Sequence, residues 1–383
     1  MRRVLPDRGG AAGTAQHHAL TYRVRPRSGD TASRYDRRSP RIRRPKGATS
    51  SGPTRRSRRE PLLEACTVPS GHLTIPQTDL TVSPIALGLG DFGTRVAGDA
   101  ACELLEAYLA QGGNFVDTAH CYSAWLPDGA GRSERELGRC MAEMGCRDSL
   151  VLATKGGHPE FGPYYHRPDR YLAPEVIRAD VDESLARLGV EVIDLYYLHR
   201  DDSCVPVGEI IDCLNEEIAR GRVRWLGASN WSVARIEAAN AYAGAEERVG
   251  FCLSEVHFSL AEPSWPMAED PTVRYLTAAD LAWHARTGLP VAAYSPTARG
   301  FLAGRPEVEA DYAQPRNLAR RERARELAAE LGCTPVQVAL AWLMHQPFAV
   351  VPITGTNDPA HLAEIMGASG VALPEEQVVW LRE

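Results

Sequence analysis

Residues 115–198 alternate two kinds of segment: FVDTA (115–119), SERELGRCMAEM (133–144), LVLAT (150–154), PEVIRADVDESLARL (174–188) and IDLYYL (193–198). The short pieces are apolar without alternation, as strands covered on both faces must be. The longer ones carry apolar residues at helical spacing. Working outward, the same reading predicts strands at 85–89, 223–228, 251–254, 291–295 and 350–353. It predicts helices at 99–111, 207–220, 233–243, 272–287, 335–345 and 359–366. Eight such units in one chain predict an α/β fold, a single (β/α)8 TIM barrel. Two short alternating stretches around Gln77-Thr78-Asp79 predict a β-hairpin ahead of it. An open doubly wound sheet is the competing arrangement. Against it, Gly88-Leu89-Gly90 does not continue into a G-x-G-x-x-G that opens a helix.

The composition, 44% hydrophobic and 24% charged over 383 residues, is that of a globular protein and excludes collagen-like or fully disordered classes. Nine scattered cysteines with no CxxC pair read as reduced thiols of a cytoplasmic protein, with no zinc site signalled. No apolar run approaches the ~18 residues of a membrane span. The net charge of −6 hides two unlike pieces. Residues 1–60 hold sixteen Arg and one Lys against four acids, while the remainder is strongly acidic. Residues 1–66 are therefore expected to form a disordered Arg-rich extension, and 67–383 the barrel domain. A transit peptide or a nucleic-acid tail would have such a composition; so would a non-functional extension, which is the reading preferred here.

In a (β/α)8 barrel the carboxyl ends of the strands point chemistry at one mouth. Four proton-handling residues fall there: Asp117 and Tyr122 in FVDTAHCYS, Lys155 in LVLATKGG and His199 in LYYLHRDD. Ser229 and Asn230 end the next strand. The chain has only two lysines, Lys46 and Lys155, although it uses Arg freely. A lysine kept at a buried strand end suits a compact, tunable charge, which Arg cannot supply.

These stretches, with GRSERELGR, GRVRWLGASNW, VAAYSP, TPVQVALAWL and VVPITGTNDPAHLAE, resemble the aldo-keto reductase superfamily in order and spacing over about residues 71–383. The resemblance implies an NAD(P)-dependent oxidoreductase that interconverts a carbonyl and an alcohol by hydride transfer. Asp117, Tyr122, Lys155 and His199 are then the catalytic set, with Tyr122 as general acid/base. Free tyrosine titrates at about 10, so Lys155 is expected to lower its pKa and Asp117 to hold the lysine charged. The resemblance also implies that Ser229, Asn230 and Glu255 meet the nicotinamide carboxamide and that Tyr294 stacks on its ring. It places Ser295, Leu302, Gly304, Gly355 and Thr356 along the phosphates, and Asn357, Asp358 and Glu364 toward the adenosine. Four positions depart from the family's usual residues: Glu255 stands for Gln, Phe258 for Tyr, Asn357-Asp358 where a cation often meets the 2′-phosphate, and Ile365 for Asn. NADP(H) is the family default; the acid at 358 keeps NAD(H) beside it.

The expected partner is a small-molecule carbonyl, sugar or polyol, with no metal, membrane or nucleic acid. Two other functions compete: a barrel aldolase with Lys155 as a Schiff base, and a non-catalytic cofactor-sensing protein. Ser133 and Glu136 are expected to form a capping box rather than a phosphate site. Trp342 and Leu343 lie at core spacing. Arg200-Asp201-Asp202 reads as substrate contact or solvated loop, and His120, Trp125 and Trp231 as pocket walls or plain packing.

Overall fold

The computed structural model describes residues 71–264 and 272–383. The extension predicted at 1–66, with Lys46, lies outside the described residues. β1 (Leu73–Thr74) and β2 (Thr81–Val82) form the antiparallel hairpin. β3 (Ala86–Gly88), β4 (Phe115–Asp117), β5 (Val151–Gly156), β6 (Ile193–Leu198), β7 (Val223–Ser229), β8 (Phe251–His257), β9 (Val291–Tyr294) and β10 (Val350–Thr354) close a parallel barrel in chain order. β10 pairs back on β3.

Helices α1 (Asp99–Ala110), α2 (Arg132–Met144), α3 (Pro174–Leu188), α4 (Val207–Ala219), α5 (Val233–Ala245) and α6 (Ala278–Thr287) each follow one of β3 to β8. The short α7 (Glu309–Tyr312), then α8 (Pro315–Leu331) and α9 (Pro335–Met344), follow β9; α10 (Pro359–Gly367) and α11 (Glu375–Arg382) follow β10. α3 shows the local logic: Pro174 occupies its first turn and Gly189, at φ 67°, its C-terminal cap. Among the described residues, no single helix is long and apolar enough to cross a membrane.

The strands sort their side chains by a period of two. Val116, Leu152, Tyr196 and Leu198 face outward into the layer shared with the helices. Phe115, Ala153, Leu195, Tyr197 and Leu253 face inward. Ile75, Leu80 and Val82 of the hairpin join that inner cluster, so the hairpin plugs one end of the barrel. Asp79 fastens it there, accepting from Trp225 Nε1 and Arg224 Nη2, each at 2.7 Å.

Three expectations are corrected. The helix predicted at 272–287 begins only at Ala278, because Thr277 and Asp280 close a capping box that stops it there. Ser133 does not cap α2: Gly131 does, while the buried Ser133 hydroxyl donates to Leu89 O at 2.7 Å and pairs with Thr118. Nor are all cysteines free thiols. Cys102 on α1 and Cys140 on α2 form a disulfide with Cα atoms 5.1 Å apart, brought together by helix packing that their spacing in sequence does not signal.

Gly227 on β7 makes room for the inward Tyr197 ring; a Cβ there would sit 2.3 Å from Tyr197 Cδ1. Gly227→Ala is therefore expected to destabilise the protein by about 1–3 kcal/mol through overpacking. Urea unfolding measures it, and an unchanged midpoint would show that the ring has space to yield.

Candidate active site

The inward phase decides what reaches the mouth. Asp117 lies two residues beyond inward Phe115, Lys155 two beyond Ala153, His199 two beyond Tyr197, and Glu255 two beyond Leu253. All four side chains are buried. Tyr122 arrives from the loop after β4, where a turn closed by Tyr122 N on Ala119 O at 3.1 Å brings it back over the barrel.

Lys155 is the hub. Its ammonium donates to Asp117 Oδ1, to Thr118 O at 3.1 Å and to the Tyr122 hydroxyl at 3.2 Å. Glu255 Oε1 lies 3.4 Å from the same nitrogen, a contact that sequence reading does not anticipate. The His199 ring stands edge-on to Tyr122, centroids 5.9 Å apart. The four residues predicted as a set thus lie together, and Glu255 joins them.

Burial alone would strip the Lys155 proton, but Asp117 and Glu255 outweigh it and hold the pKa well above the ordinary lysine value. Such a lysine keeps no lone pair for a Schiff base, which removes the physical basis of the aldolase reading. Two carboxyls cannot both ionise comfortably beside one cation. Burial raises both Asp117 and Glu255, and Glu255, further opposed by the Asp117 charge, is pushed up to about 8. Glu255 accordingly carries a proton at neutral pH. Burial, then the neighbouring Arg200 guanidinium, drive His199 well below its usual range, so its ring is neutral.

The expected lowering of Tyr122 is not what the structure gives. Burial moves its hydroxyl well above its ordinary pKa, and Lys155, already facing two carboxyls, offsets only part.

On the cofactor side, Ser229 and Asn230 end β7 beside Glu255, with Asn230 N donating to Glu255 O at 2.8 Å. Asn230 Oδ1 accepts from the Tyr294 hydroxyl at 2.8 Å and Nδ2 donates to Ser229 Oγ at 3.0 Å. Ser295 and Gly304 both take positive φ in the loop after β9. The Leu302 side chain is buried in a core cluster with Phe301 and Val338, so only its backbone could meet a ligand. Gly355, Thr356 and Asn357 lead into α10, whose N-cap is Asp358, accepting from Ala360 N at 2.9 Å. Glu364 sits a turn and a half on, and Ile365 is buried in the core.

Several other polar and aromatic residues are engaged by neighbouring protein groups. Arg235 grips both Asp201 oxygens at 3.0 and 3.1 Å, and Asp202 accepts from Cys204 N. His120 is buried between the Tyr165 hydroxyl and Glu183, and Trp231 is buried against Phe251. Trp125 is exposed, edge-on to Phe161. Trp342 and Leu343 are core.

The sequence matches the profile of the Aldo/keto reductase family over residues 84–383. The chain belongs to that family. Among relatives of this aldo/keto reductase is 6-dehydroglucose reductase of Novosphingobium aromaticivorans, 33% identical over 78% of this chain and 90% of its own length. The uncharacterized oxidoreductase YrpG of Bacillus subtilis is 31% identical over 78% of the chain and 91% of its own length. Norsolorinic acid reductase A of Aspergillus parasiticus is 28% identical, covering 79% and 78%. The protein is thus an oxidoreductase of a family that uses nicotinamide cofactors.

Glu255 in this reductase has a measurable consequence. Its carboxyl is protonated in folded and unfolded chains below about pH 4.5. From there to about 8 the unfolded chain loses the proton while the folded one keeps it, so stability falls as pH rises and levels off above. Glu255→Gln, which cannot ionise, is expected to lose less stability than the native protein between pH 5 and pH ~9. Parallel urea unfolding curves for the two proteins across that interval would assign the proton elsewhere.

Proposed function

We propose that this aldo/keto reductase carries out NAD(P)-dependent interconversion of a carbonyl and an alcohol, with Tyr122 as general acid and base. The observation that carries the reading is the shared ammonium: Lys155 Nζ donates to both Asp117 and, at 3.2 Å, the Tyr122 hydroxyl. The residues present suit a nicotinamide. Glu255 Oε2 is buried without a hydrogen-bond partner on the strand residue paired with Ser229, and can address a carboxamide. A bound nicotinamide cofactor supplies the hydride in reduction and takes it in oxidation.

The chain's own residues handle the proton. As charge grows on the substrate oxygen, Tyr122 donates its proton there. Lys155 stabilises the tyrosinate left behind, and Asp117 keeps the lysine charged and in place. Neutral His199 can donate a second hydrogen bond to the same oxygen, so it orients the carbonyl without adding charge. A hydroxyl whose pKa is high when the site is at rest stays protonated until the developing oxyanion calls for it. Two of the relatives are named for a dehydroglucose and for norsolorinic acid. For this chain the substrate class is an aldehyde, ketone or sugar.

Cofactor choice turns on the start of α10. Asp358 already places a carboxylate at that helix N-terminus, where a 2′-phosphate would compete with it. This favours NAD(H) over the NADP(H) expected by default.

Tyr122→Phe is expected to cost about 10²–10⁴-fold in carbonyl turnover while cofactor affinity stays unchanged. Near-native turnover would exclude Tyr122 as the acid. Asp358→Asn retains the cap, since Asn caps as well as Asp, and removes the charge. It should raise NADPH affinity relative to NADH by about threefold or more at low salt, fading as salt screens the site. Fluorescence titration reads the ratio, and an unaltered ratio would place the ribose away from Asp358.

A further inference from the structure

Beside the lysine hub lies a second cluster, built from three successive strand ends. Cys121 follows β4, His158 follows β5 and His199 follows β6. One donor atom from each lies within 4.8 Å of the others, and all three residues are buried. We infer that Cys121, His158 and His199 form a binding site for a soft divalent cation of the zinc class.

The donor set is the chemistry such an ion selects: one sulfur and two imidazoles. With Zn–S of about 2.3 Å and Zn–N of about 2.0–2.1 Å, neighbouring donors of a tetrahedral ion stand roughly 3.3–3.6 Å apart. Cys121 Sγ and His199 Nδ1 are already 3.4 Å apart. The His158 and His199 rings meet at 78° with centroids 4.8 Å apart, and no two donor atoms of the three lie more than 4.8 Å apart.

The surroundings prepare the ligands. Pro159 O lies 2.9 Å from His158 Nδ1 and fixes the tautomer with its lone pair on Nε2, an arrangement common behind metal-bound histidines. His199 is neutral, as a ligand must be. Burial holds the Cys121 thiol up to about 12, so the ion must displace that proton into solvent as the sulfur–metal bond forms. The cations Arg200 and Lys155 face the cluster and oppose a dication; the thiolate cancels one of its two charges. Three protein ligands leave the fourth position for water.

Binding would have one consequence that rests on the proposed reduction. An ion on His199 Nδ1 pins the ring and adds positive charge beside the substrate oxygen, so it inhibits turnover.

The test uses the purified full chain, stripped with a chelator and kept reduced without thiols. Cobalt(II) titration is expected to give a thiolate-to-cobalt charge-transfer band at one equivalent, abolished in Cys121→Ser and displaced by zinc. His158→Ala, with His158→Gln as a second variant should the first not fold, should weaken cobalt binding by about tenfold or more. Absence of the band, or a band that persists in Cys121→Ser, would overturn the site. Reversible inhibition by zinc that weakens in the same variants adds support. A Cys121-dependent band with zinc-saturated enzyme still at full turnover would leave the site standing and show that the pinned His199 ring still serves the substrate oxygen through Nε2.

Discussion

An ammonium inside a barrel, out of reach of water, must be surrounded by groups that replace its hydration. Lys155 is held by Asp117, Thr118 O, the Tyr122 hydroxyl and Glu255, with the Tyr197 ring 5.9 Å away. Each of these placements depends on the others. Without the carboxylates the lysine would shed its proton; without the lysine, two buried carboxyls would face each other unscreened. The tyrosine hydroxyl is where this network opens toward the mouth, which is why the charged cluster can be both structural and chemical.

The barrel makes such a cluster possible through phase and register. Inward residues recur every second position, and the pairing of Asp117 with Ala153 and of Lys155 with Tyr197 staggers them up the interior. Slipping one strand by a residue would send its charged side chain into the apolar layer under the helices. The inner space is filled from below by the hairpin, with Ile75, Leu80 and Val82, and by Tyr197, which fits because Gly227 has no side chain. Chemistry at one mouth therefore depends on packing at the other.

Much of this was legible in the sequence because unbroken apolar runs have few other homes than a two-sided strand. β6 and α3 match their predicted ranges residue for residue, and the tetrad follows from the strand ends. What escaped was governed by partners distant along the chain. α8, PRNLARRERARELAAEL, is too charged to announce a buried face, yet Arg320 is buried by donating to Leu260 O and Arg382 O. Ser133 looks like a cap, but its hydroxyl serves Leu89 O on a neighbouring strand end. The Cys102–Cys140 link and the Cys121, His158 and His199 cluster join segments that no local spacing connects.

Glu255 shows how burial can change what a residue letter means. Read as an ionised carboxylate, it is a poor stand-in for the family's usual glutamine, since it cannot donate a hydrogen bond. Inside the barrel it stands beside Asp117, and Lys155 can fully neutralise only one of the two. The proton settles on Glu255, whose carboxyl is pushed up to about 8. A protonated glutamic acid has one donor and one acceptor on a planar head, close in shape to an amide. Protonation narrows the departure in sequence by restoring a donor, for which the neighbouring Asp117 also competes. The departure is complete only when the medium is alkaline enough to remove that proton and leave two carboxylates on a single lysine.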